Sequence, residues 1–361
     1  MNNLNKFMMK KQYKILLLFI MFPFVAFSTE NDFNYSKQKN INKAYYVNSG
    51  ATLYIDNSYG NISVTTWNEN IIELDISIKV SGDNENWVNQ RINDINIDIN
   101  ALKGMISAKT ILGNSSAKNK GRNNSFEINY TLKIPKNASV KLNNKYGNIS
   151  TTDLYSLSEI NCKYGKINLG KLFSTSAIQI DYCSNSSIDF FKYGTINAKY
   201  SNLKINQVGK IDLISDYTDI EIIESDVVKY NSKYGKIKIK NVQSLDASGN
   251  YLTIRIGEVF NQLKLNTKYS SLKIETINDK ANSINIISGY TGIDIGYDSN
   301  FAFDFTIDLK YANFNHSNEL EINSKEEISN SKKYMGFYKK KGINNITIIS
   351  DYGNVSLTNN H

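Results

Sequence analysis

The chain has 361 residues, with 42 basic residues against 34 acidic ones, a formal charge of +8, and only two histidines, two cysteines and two prolines. Its only arginines, Arg91, Arg122 and Arg255, are too few for the guanidinium forks that read base edges and phosphates, so nucleic acid is excluded as the expected partner. With His316 and His361 alone, and no HExxH, GxSxG, Walker loop or CxxC, neither a nucleophile-and-base enzyme nor a metal or other cofactor is expected.

Lys6, Lys10, Lys11 and Lys14 precede the apolar run "ILLLFIMFPFVAF" and the small-residue site Ala26-Phe27-Ser28. That pattern predicts a secretory signal peptide over 1–28, too short and too interrupted by Pro23 for a permanent span. Those four lysines leave with it and carry half of the formal charge. No later segment is apolar enough to cross a bilayer, so no integral membrane segment is expected after cleavage. The destination is the periplasm, the outer surface or the medium.

Residues 29–44 read as a flexible leader. Residues 45–135 read as an N-terminal cap region. It holds one coil-like unit, "SYGNISV", around Tyr59, strands at "IIELDISIKV" and "INIDIN", and a short helix near "NENWVNQRI" with Val88, Ile92 and Ile95 on one face. "GNSSAKNKGRNNS" is a polar loop.

From 136 to 357 the chain repeats. Tyr146, Tyr164, Tyr182, Tyr200, Tyr217, Tyr234, Tyr251, Tyr269, Tyr290 and Tyr311 follow one another at steps of 17 to 21 residues, and Tyr352 matches after a longer excursion. Columns counted from each tyrosine are apolar four places before it (Ile160, Ile178, Ile196, Leu213), three after (Ile149, Ile167, Leu203, Ile220), five after (Leu169, Ile205, Ile222) and eight after (Leu154, Leu172, Val208). Such alternation marks strands, and the parity slip beside the tyrosine marks a corner.

Glycine supplies the positive φ a tight corner needs, which accounts for Gly147, Gly165, Gly235 and Gly353. A single coil cannot bury its apolar columns. Coils stacked at about 4.8 Å turn them into continuous ladders. The expected fold is therefore all-β, a parallel β-helix or β-solenoid with one coil per 17–21 residues.

The residue before each tyrosine supports the register: Lys163, Asp181, Lys199, Asp216 and Lys233 alternate in sign at every turn. Tyr193, in "KYGTI", falls out of phase. A charged insertion at about 315–342 breaks the array and reads either as a lid over the last coils or as a hairpin loop.

Chemistry-bearing residues are sparse. Lys204, Lys236, Lys238, Lys240, Arg255 and Lys273 form the best basic patch, able to hold an anionic polysaccharide or to be an ordinary solvated strand. Asp216, Asp219 and Glu221 could serve glycoside hydrolysis, but read as a solvated face. The tyrosine row could stack on sugar faces; the structural reading is that it stabilises the corners. His316 falls in an inward column as a structural residue. Cys162 and Cys183 are placed three positions out of register, on roughly opposite faces and about 10 Å apart, which favours two free, partly buried thiols over a disulfide.

The "NSGATLYIDNSYGNISVTTW" unit, the re-entry "YTLKIPKNASVKLNNKYGNIS" and the serial Tyr-Gly-x-Ile turns resemble the exported bacterial "putative adhesin" β-solenoid family of unknown function. The resemblance covers about residues 45–357 and implies adhesion, with no catalytic residues to carry over. The expectation is a non-enzymatic adhesin or cell-envelope scaffold with a cell-surface glycan or an envelope protein as partner, of unknown oligomeric state. The rival is a carbohydrate-active β-helix enzyme or a binder of anionic glycans.

Overall fold

The computed structural model describes residues 33–113 and 123–360; the signal peptide over 1–28 and most of the polar loop after Gly113 lie outside the described residues. Among the described residues strands make up 74% and helix 3%, and the strands join in one sheet that winds as an all-β solenoid.

Successive coils pair in parallel and in register. On the face before each corner, Leu142, Ile160, Ile178, Ile196, Leu213 and Tyr230 are direct partners from one coil to the next. On the face after it, Leu203 meets Ile220, and Ile254, Leu272, Ile293 and Val355 form a second run. All of these side chains are buried. Each is worth roughly 1.5–3 kcal/mol of transfer free energy before ordering entropy is charged, which is why stacking, and not the single coil, makes the core.

The corner corrects the expectation about glycine at Gly147, Gly165 and Gly353, which take no positive φ, while Gly235 does, at 152°. The left-handed residue is the tyrosine itself: all twelve corner tyrosines, from Tyr59 to Tyr352, have φ between 48° and 62°. Glycine answers a different need. A Cβ on Gly147 would lie 1.8 Å from the Gly60 carbonyl oxygen, and one on Gly165 would lie 2.0 Å from that of Gly147. Backbones of adjacent coils therefore meet at this point. Where the same position holds Ser201, Thr218 or Thr291, the hydroxyl turns inward and donates to the carbonyl two residues upstream, at 2.7, 2.8 and 3.0 Å.

Two irregularities in the sequence find their reasons. The Tyr182 coil carries one extra residue, absorbed by a second left-handed residue, Asn185, so that buried Ser186 pairs with Leu203. Tyr193 lies inside strand Ser186–Lys199, paired with Thr175 and Lys210, and has no positive φ; its pentapeptide belongs to a different corner.

Among the described residues, seven strands and one helix build the N-terminal cap: β1 (Tyr35–Tyr46), β2 (Thr52–Ser58), β3 (Ile62–Trp67), β4 (Ile71–Gly82), α1 (Glu85–Asp94), β5 (Asn96–Leu102), β6 (Met105–Ile111) and β7 (Asn124–Pro135). β2 and β3 are the two faces of the Tyr59 coil, and β6 and β7 extend them outward. The flexible leader expected over 29–44 is corrected, because the free edge of β4 offers residues 35–46 a full antiparallel ladder, which forms β1. Asn84 caps α1 by accepting the Trp87 N–H at 3.0 Å, and the helix buries Trp87, Val88 and Ile92 as the lid of this end.

At the other end the coils do not follow chain order. Strands Asn345–Asp351 and Val355–Asn360 insert between the Tyr290 coil and the Tyr311 coil: Ile348 pairs with Ile286 on one side and Ile307 on the other. The expectation that each coil lies on the one before it is corrected here. Leaving residue 316, the chain forms the antiparallel hairpin Glu321–Ile328 and Ser331–Tyr338, which covers the outer edge of strand Phe303–Lys310 and buries Tyr334 and Tyr338.

Both terminal strands carry charge on their inner side. Lys37, Lys39 and Lys43 sit opposite buried Val80, Ile78 and Leu74, and Lys325 sits opposite buried Tyr334. A further strand added there could not extend the apolar core over those charges.

Candidate surface sites

The tyrosine rings form one file. From Tyr59 through Tyr146, Tyr164, Tyr182, Tyr200, Tyr217, Tyr234, Tyr251, Tyr269 and Tyr290 to Tyr352 and Tyr311, neighbouring centroids are 4.6–5.1 Å apart. Most pairs lie within 10° of parallel, and Phe126 closes the Tyr59 end at 4.9 Å. Ring faces inside the file are occupied by other rings, so a sugar cannot stack on them. What solvent meets is a row of ring edges and hydroxyls. The ladder is a corner brace, with each offset-stacked pair worth about 0.5–1.5 kcal/mol. A shorter aromatic group, Tyr155 stacked on Phe173 with Phe190 tilted against it, braces a second corner.

The basic row follows the face after the corner. Lys204 is opposite Glu221, and Arg255 is opposite Lys273, which is opposite Asp294. Lys238 Nζ donates to Glu221 Oε1 at 2.8 Å, and Lys236 Nζ lies 3.6 Å from Asp219 Oδ2. The hydrogen bond from Lys238 holds the Glu221 carboxyl below its usual range, and the same contact raises Lys238. Lys204, Asp219, Glu221, Lys236 and Lys238 border an open concavity of about 510 Å³. Lys240 is exposed further along. The row is thus a mixed ladder at one end and a run of cations, Lys238, Arg255 and Lys273, in the middle.

Asp219 and Glu221, weighed as hydrolytic acids, are each tied to a lysine of the following coil. Asp216 belongs to the alternating column, where Lys163, Asp181, Lys199, Asp216 and Lys233 are direct register partners as expected. His316 is half-buried, with Nδ1 2.9 Å from the Ser317 carbonyl oxygen and its ring 5.0 Å from that of Phe314.

The placement of the cysteines on opposite faces is corrected. Both are buried on the inner side of the same corner, and Cys183 Sγ lies 3.3 Å from the Cys162 carbonyl oxygen. The left-handed tyrosine reverses the strand parity, so the position two before it and the position one after it both point inward. Those two columns, buried and mostly small or hydroxylic, are the feature that sequence reasoning missed: Asn57, Asn144, Ser215, Ser232, Thr267 and Ser350 in one, Ser201, Thr218 and Thr291 in the other. The signal was in the sequence as small residues flanking each tyrosine.

Among the described residues, no helix is long and apolar enough to cross a membrane. No protein-family model and no curated protein matches the chain. Among solved structures, it is similar to a "putative cell adhesion protein" from Clostridium sporogenes, 11% identical over 90% of this chain and 100% of that one, with a TM-score of 0.19. It is also similar to two proteins described as a "putative adhesin". That from Parabacteroides distasonis is 9% identical over 89% of this chain and 97% of that one (TM-score 0.30). That from Bacteroides fragilis is 14% identical over the same shares (TM-score 0.22). Likenesses at this level carry nothing about function.

Proposed function

We propose that the protein is a non-enzymatic, exported β-solenoid that works by surface contact, as an adhesin or a scaffold of the cell envelope. The observation that carries this reading is the unbroken tyrosine file from Tyr59 to Tyr311, which locks coil to coil and so presents every outer column at a fixed repeat. A rigid row of weak contacts suits a partner that is itself repetitive, because linked contacts gain by effective concentration without any one being strong.

A second reading, a protein that binds or cleaves anionic glycans, is favoured by the consecutive cations Lys238, Arg255 and Lys273 on an open face. One experiment separates the two. The mature chain is incubated with anionic polysaccharides while co-sedimentation and the appearance of unsaturated sugar ends are followed, and cell fractions are probed for its location. Location in the envelope with contact and no turnover supports the proposal; turnover overturns it.

A further inference from the structure

Cys162 stands two residues before Tyr164, and Cys183 follows Tyr182 on the next coil. Both side chains enter the narrow space inside one corner, at 2% and 0% exposure. Cys183 Sγ is 3.3 Å from the Cys162 carbonyl oxygen, and Cys162 Sγ is 3.5 Å from that of Gly147. Gly165 lies beside the pair. A Cβ there would approach Cys162 Sγ to 3.4 Å, so glycine leaves that thiol room to turn toward the neighbouring coil.

The two sulfurs are also unequal. Hydrogen bonding with the Cys162 side chain, opposed by burial, lowers Cys183, while the same contact and burial raise Cys162. Unequal thiols suit a directed exchange, in which the thiolate that forms first is the attacking one.

We propose that Cys162 and Cys183 are an oxidation site that reacts with a small-molecule disulfide and closes as a bond between the Tyr164 and Tyr182 coils. The Cys183 thiolate attacks one sulfur of the oxidant and expels a thiolate, leaving a mixed disulfide on Cys183. Cys162 then loses its proton, and its thiolate attacks Cys183 Sγ and expels the second oxidant thiol. The two cysteine thiols are oxidised, and the oxidant disulfide is reduced to two thiols. The product is a staple across adjacent coils, which restricts the unfolded chain by closing a loop of one full turn. This inference stands on the corner geometry and not on the surface-contact reading.

The test uses the full mature chain in a series of glutathione redox buffers, with and without denaturant. Samples are trapped by acid, alkylated and weighed intact. The expected product is a monomer lighter by two hydrogens with no alkylated thiol, and the folded chain closes the bond in a more reducing buffer than the denatured chain does. Cys162→Ser is expected to keep a glutathione adduct on Cys183, having no thiol to resolve it. A folded chain that resists oxidation more than the denatured one overturns the proposal, as does an adduct confined to Cys162 in Cys183→Ser with none on Cys183 in Cys162→Ser.

Discussion

The ring of Tyr352 stacks on that of Tyr290 at 4.7 Å and 2°, and on its other face lies Tyr311, which precedes it in sequence. The last coil is thus a wedge, and the Tyr311 coil with its hairpin is held to the array through it. Removing residues 343–360 is expected to free residues 303–338 while leaving the middle coils folded, because solenoid coils depend mainly on their neighbours. Limited proteolysis with mass mapping checks this: early cleavage should concentrate beyond Tyr290.

Tyr217 has φ 48° and rings on both sides, Tyr200 at 5.0 Å and Tyr234 at 4.6 Å. Tyr217→Ala loses two stacks and keeps the left-handed strain, so a loss of roughly 1–3 kcal/mol is expected. Tyr217→Gly also loses the stacks but relieves about 1 kcal/mol of strain. Urea denaturation should therefore rank glycine above alanine, the reverse of the order in an ordinary strand.

Gly147→Ala and Gly292→Ala make a matched pair. The first Cβ meets the Gly60 carbonyl oxygen at 1.8 Å, and the second meets nothing within 4 Å. Forcing two coils apart should cost about 3 kcal/mol or more, as overpacking a fixed backbone does. Gly292→Ala should stay within about 0.5 kcal/mol of the parent, as surface changes do. Thermal melts of the two variants test the contrast.

The inner-side lysines of β1 predict a solubility effect. Lys39→Val, opposite buried Ile78, should convert the terminal edge into a continuation of the apolar face and promote self-association. Sedimentation velocity is expected to show higher oligomers for this variant, and the parent sediments at a lower weight at the same concentration.

Tyr130 gives a pH signature. Burial, opposed by a hydrogen bond with Thr110, pushes its phenol up to about 12. Its folded value is above the unfolded one, so the folded state binds the proton more tightly. The associated stability is fully present below pH ~10 and is lost as pH rises through about 12, a contribution of roughly 2–3 kcal/mol. Alkaline unfolding followed by tyrosinate absorbance should show Tyr130→Phe less sensitive across that window.

The array was legible because its tyrosines and apolar columns recur at nearly constant spacing, which only stacked coils can bury. The corner's backbone was less so, since glycine is the usual left-handed residue and here a bulky ring takes that conformation while stacked on a neighbouring ring. β1 read as a leader because its lysines alternate with polar residues, a pattern that hides a strand whose inner side sets Ile41 and Tyr45 against the core among lysines. The wedge position of Tyr352 has no local signature at all: its unit resembles any other, and the choice of neighbours is made by which coil is left uncovered. For the surface patch, the cations were visible in sequence, but the partners Asp219 and Glu221 become neighbours only once the register is fixed.

The order of coils at the C-terminal end tests the stacked-coil account most directly. Ile287 pairs with Ile349, and Ile349 in turn with Asp308. With the native cysteines replaced by serine, a short thiol cross-linker should join Ile287→Cys to Ile349→Cys and fail to join Ile287→Cys to Asp308→Cys. The opposite result, with Ile287→Cys coupling to Asp308→Cys alone, would contradict it.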